Sequence, residues 1–437
     1  MDTTSQSLYL GHLETISLRV SGALEATGFD GVIIPAGEPP MYFADDRPYP
    51  FHANPGFSLW VPEAAPGSLL VYEPGRRPML LFRQEADYWH MPPRTPDGPW
   101  TAGVDLRVVS SAAEARAAVP AGRRWALLGE PAADWDGLGE PNPSRLVKLL
   151  DYQRAAKTPF EVDCLARASA IGARAHRAAA GAWRAGASEF GIHLEYCRAA
   201  GVREQDLPYN NIVACNEHGA VLHYQHLDRV PPAERRSFLI DAGAPYAGYG
   251  SDITRTYAGA PGAFADLVAA VEAAQLRLAA MVVPGRDYRE LHLEAHRLLA
   301  GVLADCGLVK GGAGAALEAG VTQVFFPHGI GHLLGLQVHD VGGLMADASG
   351  SERPRPPGHP HLRLTRDLEP GFVVTIEPGL YFIDLLLAQA GADARRPLID
   401  WNCVDALRGC GGVRIEDNVV ALPEGPRNLT REAFAAA

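Results

Sequence analysis

The stretch RSFLIDAGAPYAGYGSDITRTY, residues 236–257, decides how this chain folds. Two apolar, β-branched segments flank a turn rich in glycine and proline, the signature of an antiparallel hairpin. Each arm carries an aspartate, Asp241 and Asp252. With the hairpin centred near Tyr246–Ala247, the two would stand opposite each other on one face of the sheet. Like charges so placed destabilise a hairpin unless a cation lies between them. The expectation is a sheet built around metal.

Further groups suited to such a site lie downstream. FPHGIGHLLGLQVHD, residues 326–340, holds His328, His332 and His339 among glycines and core-forming leucines. Histidine is both a common metal ligand and the usual proton shuttle near neutral pH. Spacing alone does not choose among the three. FVVTIEPGLYF (372–382) is an apolar strand with Glu377 before Pro378. GVRIEDNVVAL (412–422) reads as a strand with Val413 and Ile415 on one face, Arg414 and Glu416 on the other. A solvated edge accounts for one such glutamate. Four carboxylates and a histidine at strand ends facing one place describe a hard, oxygen-rich cation site suited to manganese, magnesium or cobalt. Four carboxylates balance two divalent ions better than one. Two ions about 3.5–4 Å apart that activate a water between them are hydrolase chemistry.

The rest of the chain frames this centre. Its 437 residues predict two or three domains. Helical spacing over Leu13 to Thr27, a strand at 31–37, a hairpin formed by 68–75 and 78–83, and a strand at 124–130 make the first third an α/β domain. Within it, FADDRPYPFHANPGFSLWVP (43–62) is a loop dense in proline and aromatics, with Asp45 and Asp46. A boundary falls near Tyr152 to Thr158. Thr158-Pro159-Phe160-Glu161 then has the capping-box arrangement that opens an alanine-rich helix. The expected domains are 1–155 and 156–437. NNIVACNE and AVLHY, within 210–224, read as strands, 262–281 and 286–305 as helices, and 348–363 as loop.

A net charge of −12 argues against nucleic acid as a partner. Neither a polybasic run nor an apolar run of membrane-spanning length is present, and the opening residues do not read as a signal peptide. Six scattered cysteines without a CxxC pair suit reduced thiols in a cytoplasm.

FADDRPYPF, PYNNIVACNEHGAVLHY, DAG and DITRTY, PHGIGHLLGLQVHD, TIEPGLYF and GVRIEDNVV occur in that order over nearly the whole chain. Together they resemble the pita-bread metallopeptidases, the family of methionine aminopeptidase, aminopeptidase P and prolidase. The nearest resemblance is to the long proteobacterial Xaa-Pro dipeptidases, which include organophosphorus acid anhydrolases. It implies an α/β (α+β) fold: a creatinase-like N-terminal domain, then a pita-bread domain with a curved, mostly antiparallel sheet covered by helices. It implies hydrolysis of Xaa-Pro dipeptides at two divalent ions, manganese first and cobalt, magnesium or zinc as alternatives. The five ligands would be Asp241, Asp252, His332, Glu377 and Glu416, with Asp252 and Glu416 shared between the ions. Glu377 would also orient or deprotonate the bridging water. His223, His328 and His339 would bind substrate and pass protons, with Tyr381 and Arg414 in support. Arg363 would receive the dipeptide carboxylate, and Tyr209 would line the pocket. The resemblance also implies a homodimer in which the Asp45 loop closes the partner's site.

Leu333 stands where close relatives often have proline. Organophosphate triesters would be side substrates. Aminopeptidase P, acting on longer peptides, is the alternative enzyme, disfavoured by the Asp45 loop and Arg363. A non-catalytic binding protein or a metal-free creatinase-like hydrolase would be expected to have lost ligands.

Overall fold

The structure is a computed structural model that describes residues 3–437. The chain divides into two compact units. One runs through Cys164 and takes in Ala247–Tyr249 and Asp347–Glu352; the other holds Leu165–Tyr246, Gly250–Ala346 and Arg353–Ala437.

The first unit is built on a six-stranded mixed sheet. Its strands run, in spatial order, Asp105–Val109, Met79–Arg83, Leu69–Tyr72, Gly31–Pro35, Trp125–Leu127 and Glu140–Pro141. Gly31–Pro35 pairs antiparallel with Leu69–Tyr72 and parallel with Trp125–Leu127. Such a central strand has no solvated face, and all five of its residues are buried. The Pro-Gly hairpin joins Leu69–Tyr72 to Met79–Arg83 as expected. The capping box also forms: the Thr158 amide donates to the Glu161 carboxylate at 2.9 Å, and the Glu161 amide donates to Thr158 Oγ1 at 3.4 Å.

The second unit carries small antiparallel sheets. Ile212–Cys215, Ser237–Asp241 and Thr254–Ala258 form the first, with Ser237–Asp241 central. Val373–Ile376, Asp417–Val420 and Arg427–Asn428 form the second. Gly379–Tyr381 and Gly412–Arg414 form the third. A bridge between Thr254 and Glu416 joins the first sheet to the segment linking the other two.

Helices cover this framework. Ala263–Ala279 sends Gln275 Nε2 to the carbonyl of Ile376 at 3.2 Å, and Tyr288–Asp305 sends the Tyr288 hydroxyl to the carbonyl of Thr375 at 2.8 Å. Both contacts satisfy backbone acceptors at the end of the strand that carries Glu377. The histidine segment is anchored to the same strand by the Leu333–Val374 bridge.

Three expectations need correction. Residues 220–224 are not a strand: a short 3-10 helix, Asn216–Ala220, is followed by turns. Residues 372–382 and 412–422 are each two strands rather than one. In the first case Pro378 interrupts the run, since it has no amide hydrogen to continue a ladder. In the second, Ile415 and Glu416 cross from one sheet to the next.

Candidate metal centre

The hairpin register differs by two residues from the one expected. Thr254, not Asp252, stands opposite Asp241. Ala247 and Gly248 take positive φ, +51° and +87°, so the reversal lies one residue beyond the expected centre. Because the slip is even, Asp252 keeps the same side of the hairpin as Thr254, and the aspartates become diagonal neighbours. Tyr209 shows how close they are. Its hydroxyl reaches Asp241 Oδ1 at 2.8 Å and Asp252 Oδ1 at 2.6 Å.

The remaining acids arrive from the closing strands. The Glu416 amide donates to the Thr254 carbonyl at 3.1 Å, and Thr254 Oγ1 donates to Glu416 Oε2 at 2.7 Å. Its neighbour Asp417 does different work. Arg255 and Arg431 hold Asp417 at 2.8 and 2.7 Å, and despite burial these cations keep its carboxyl below the usual range. Among the described residues, no side-chain ion pair to Arg or Lys holds Glu416 in this way.

Among the three histidines of residues 326–340, His332 is set apart by geometry. Its Nδ1 donates to the carbonyl of Leu333 at 2.9 Å. That leaves Nε2 facing Asp252 Oδ2 at 3.4 Å and Glu377 Oε1 at 3.7 Å, and these carboxylates raise the imidazole's pKa although burial opposes them. Gly331 permits this approach. Its φ is +153°, and a Cβ there would lie 2.1 Å from the Thr375 carbonyl oxygen.

His328 Nδ1 donates to the Gly329 carbonyl at 2.8 Å, so Nε2 accepts from the Tyr381 hydroxyl at 2.9 Å. Tyr381 in turn accepts from Arg414 at 3.0 Å, and Arg414 donates to Asp241 Oδ2 at 2.7 Å. Burial pushes His328 down to about 3, so it is neutral in this chain of contacts. His339 stacks edge-on against His332, with ring centroids 4.3 Å apart.

The electrostatics mark the centre as built for cations. Burial drives Glu377 up to about 7, reinforced by Asp252 and opposed by His332. Glu416 is held well above the carboxylate range by burial and by its three acidic neighbours. Asp241 is raised because burial outweighs the pull of Arg414. Asp252 alone is lowered, since His332 and Tyr209 overcome its burial. Buried carboxylates this close must bind protons or cations. Ligand atoms of Asp252, His332 and Glu416 lie within 4.8 Å of one another, so this donor set fits hard divalent ions.

A cavity of about 320 Å³ gathers these groups. Asp241, Asp252, His332, Glu377 and Glu416 line it together with His223, His328, His339, Arg363 and Arg414. Tyr209 and Tyr381 reach it through the hydrogen bonds above. Asp45 lies exposed in the first unit. The sequence reading missed His361, which also lines the cavity, as well as Thr254 and Thr375, which position Glu416 and His332. The alternation Asp252-x-Thr254 was a visible signal for Thr254; His361 sits in a loop with no periodicity to expose it.

The comparisons agree with this centre. Residues 163–422 match the model of metallopeptidase family M24, and residues 7–152 match that of the Xaa-Pro dipeptidase N-terminal domain. The chain belongs to metallopeptidase family M24. It is 50% identical over 434 residues to an Xaa-Pro dipeptidase of Xanthomonas axonopodis pv. citri, covering 99% of this chain and 98% of the relative. A Stenotrophomonas maltophilia Xaa-Pro dipeptidase is 50% identical over 435 residues, with coverage of 99% and 98%. In fold, this M24 chain resembles the Pseudomonas aeruginosa aminopeptidase PepP at a TM-score of 0.70 and 24% identity, over 97% of this chain and 98% of that one. The expected two-part α/β and pita-bread architecture is therefore the one observed, and the chain is a metallopeptidase.

Proposed function

We propose that the chain is a dinuclear-metal Xaa-Pro dipeptidase. The observation that carries this reading is one cavity lined by four carboxylates, His332 and the exposed Arg363 guanidinium. Asp241, Asp252, His332, Glu377 and Glu416 would hold two divalent ions, manganese by preference, because the donors are mostly hard oxygens. When bound, the ions supply Lewis-acid polarisation of the scissile carbonyl and a lowered pKa for water.

The remaining steps fall to side chains. Glu377 takes the proton of the attacking water and returns it to the proline nitrogen as it leaves, the cycle of a single general base and acid. A bond to proline has no N–H, so recognition must come from elsewhere. Arg363 donates a two-pronged hydrogen bond to the C-terminal carboxylate and limits the substrate to two residues. His223 and His339 contact substrate and move protons, while His328, Tyr381 and Tyr209 fix Arg414 and the aspartates.

Residues 156–437 form the catalytic domain in this reading, and residues 1–155 serve dimerisation and closure. The exposed Phe43, Tyr88, Trp89 and Met91 of the first unit support a surface covered by a second copy, with the Asp45 loop reaching the partner's site. Six free cysteines support a cytoplasmic setting. Organophosphate triesters, whose tetrahedral phosphorus resembles the peptide transition state, are proposed as side substrates. The deciding experiment compares Gly-Pro dipeptides with Xaa-Pro tripeptides, with and without manganese. Preference for dipeptides, dependent on metal, is expected. Preference for tripeptides would favour an aminopeptidase instead.

A further inference from the structure

We propose a third metal site, outside the carboxylate centre: His292, His296 and His359 form a three-imidazole site for a borderline transition ion of the zinc class. His292 and His296 are four residues apart on the helix Tyr288–Asp305 and share one face of it. His359 comes from the loop that approaches that face. The three rings form a nearly equilateral triangle, with centroids 4.8, 4.6 and 4.6 Å apart. One ligand nitrogen from each lies within 4.8 Å of the others.

The hydrogen bonding leaves this cluster incomplete. His292 Nε2 and His359 Nδ1 share a hydrogen bond of 2.9 Å, and His296 Nδ1 pairs with Thr322 Oγ1 at 2.9 Å. Among the described residues, His292 Nδ1 and His296 Nε2 are buried without a hydrogen-bond partner. A buried polar nitrogen left unpaired costs stability, and an ion engaging His296 Nε2, His292 Nε2 and His359 Nδ1 would remove one of these two costs. Donation of Nδ1–H to Thr322 would leave His296 the Nε2 lone pair, the arrangement that holds ligating histidines in place. Nitrogens on a tetrahedral zinc stand about 3.3 Å apart, given Zn–N distances of about 2.0–2.1 Å. Releasing the proton shared by His292 and His359, and parting them by a few tenths of an ångström, would bring that pair to this spacing.

A cavity of about 190 Å³ adjoins the triad and shares Pro327, His328 and His361 with the substrate cavity. An ion held here would tie the loop that leads to Arg363 onto the helix.

All-nitrogen donors favour zinc over manganese, whereas the carboxylate centre accepts manganese. The full-length protein is therefore loaded with zinc, exchanged against excess manganese, and analysed for both metals by atomic emission. One zinc per chain is expected to remain in the wild type and in Asp252→Asn. Retained zinc should fall at least tenfold in His359→Asn, a change at a half-buried loop position, and its X-ray absorption in the wild type should show nitrogen neighbours. No retained zinc in the wild type, equal retention in His359→Asn, or its loss in Asp252→Asn would each overturn the proposal.

Discussion

Replacing Arg363 by alanine separates binding from chemistry. The guanidinium lines the substrate cavity, is exposed, and makes no hydrogen bond or ion pair with another side chain among the described residues. Its donors are thus available to a ligand at no cost in broken protein contacts. A charge-assisted hydrogen bond contributes about 1.5–3 kcal/mol, and solvent access places this one toward the lower end. At about 1.4 kcal/mol per factor of ten, KM for Gly-Pro should rise roughly 10- to 30-fold, with kcat changed by less than about threefold. The amidated analogue Gly-Pro-NH2 lacks the carboxylate, so its KM should be nearly the same in wild type and variant. Arg363→Lys keeps the charge but not the planar fork and should recover only part of the loss. Steady-state kinetics on the two substrates suffices. An equal rise in KM for both would refute the carboxylate role, and a fall in kcat alone would place Arg363 in the chemistry.

Other predictions address the centre and its frame. Glu377→Gln should lower kcat/KM by about 10³-fold or more while far-UV circular dichroism stays unchanged, because the proton carrier is lost but the strand is not. In metal-stripped protein, Glu416→Gln should raise the unfolding temperature by relieving buried like-charge crowding; in loaded protein it should lower it. Gly331→Ala should cost about 2–5 kcal/mol from backbone strain and overlap with Thr375, seen as a lower unfolding midpoint. Burial lowers the pKa of His12 although both ring nitrogens are paired, to Thr158 and Leu59. A histidine depressed in the folded state stabilises above its unfolded pKa and loses that contribution as pH falls below it. Between about pH 7 and pH 5 the wild type should therefore lose more stability than His12→Gln, measured by urea unfolding at each pH.

Much of this architecture was legible because the chain announces it locally. The capping box at Thr158–Glu161, the Pro-Gly hairpin and the aspartate-bearing hairpin each rest on neighbouring residues, and each formed. Side-chain alternation kept Asp241 and Asp252 on one side even though the register was two residues off, since only an odd slip moves a residue to the other face. What the sequence could not show was set by distant contacts. Residues 412–422 leave one sheet for another at Glu416, because Thr254, some 160 positions away, captures its backbone and side chain. His223 reaches the cavity from turns rather than from the expected strand. The choice of His332 over His328 rested on family resemblance; in the structure His328 is bonded to Gly329 and Tyr381, while His332 Nε2 faces Asp252 and Glu377.

In the proposed function, two ions held by five residues make this chain a dipeptidase. Titrating manganese into metal-stripped protein while following Gly-Pro hydrolysis tests it most directly. No turnover in the stripped protein and saturation near two equivalents per chain are predicted. Full turnover without metal, or saturation that persists unchanged in Asp252→Asn, would contradict it.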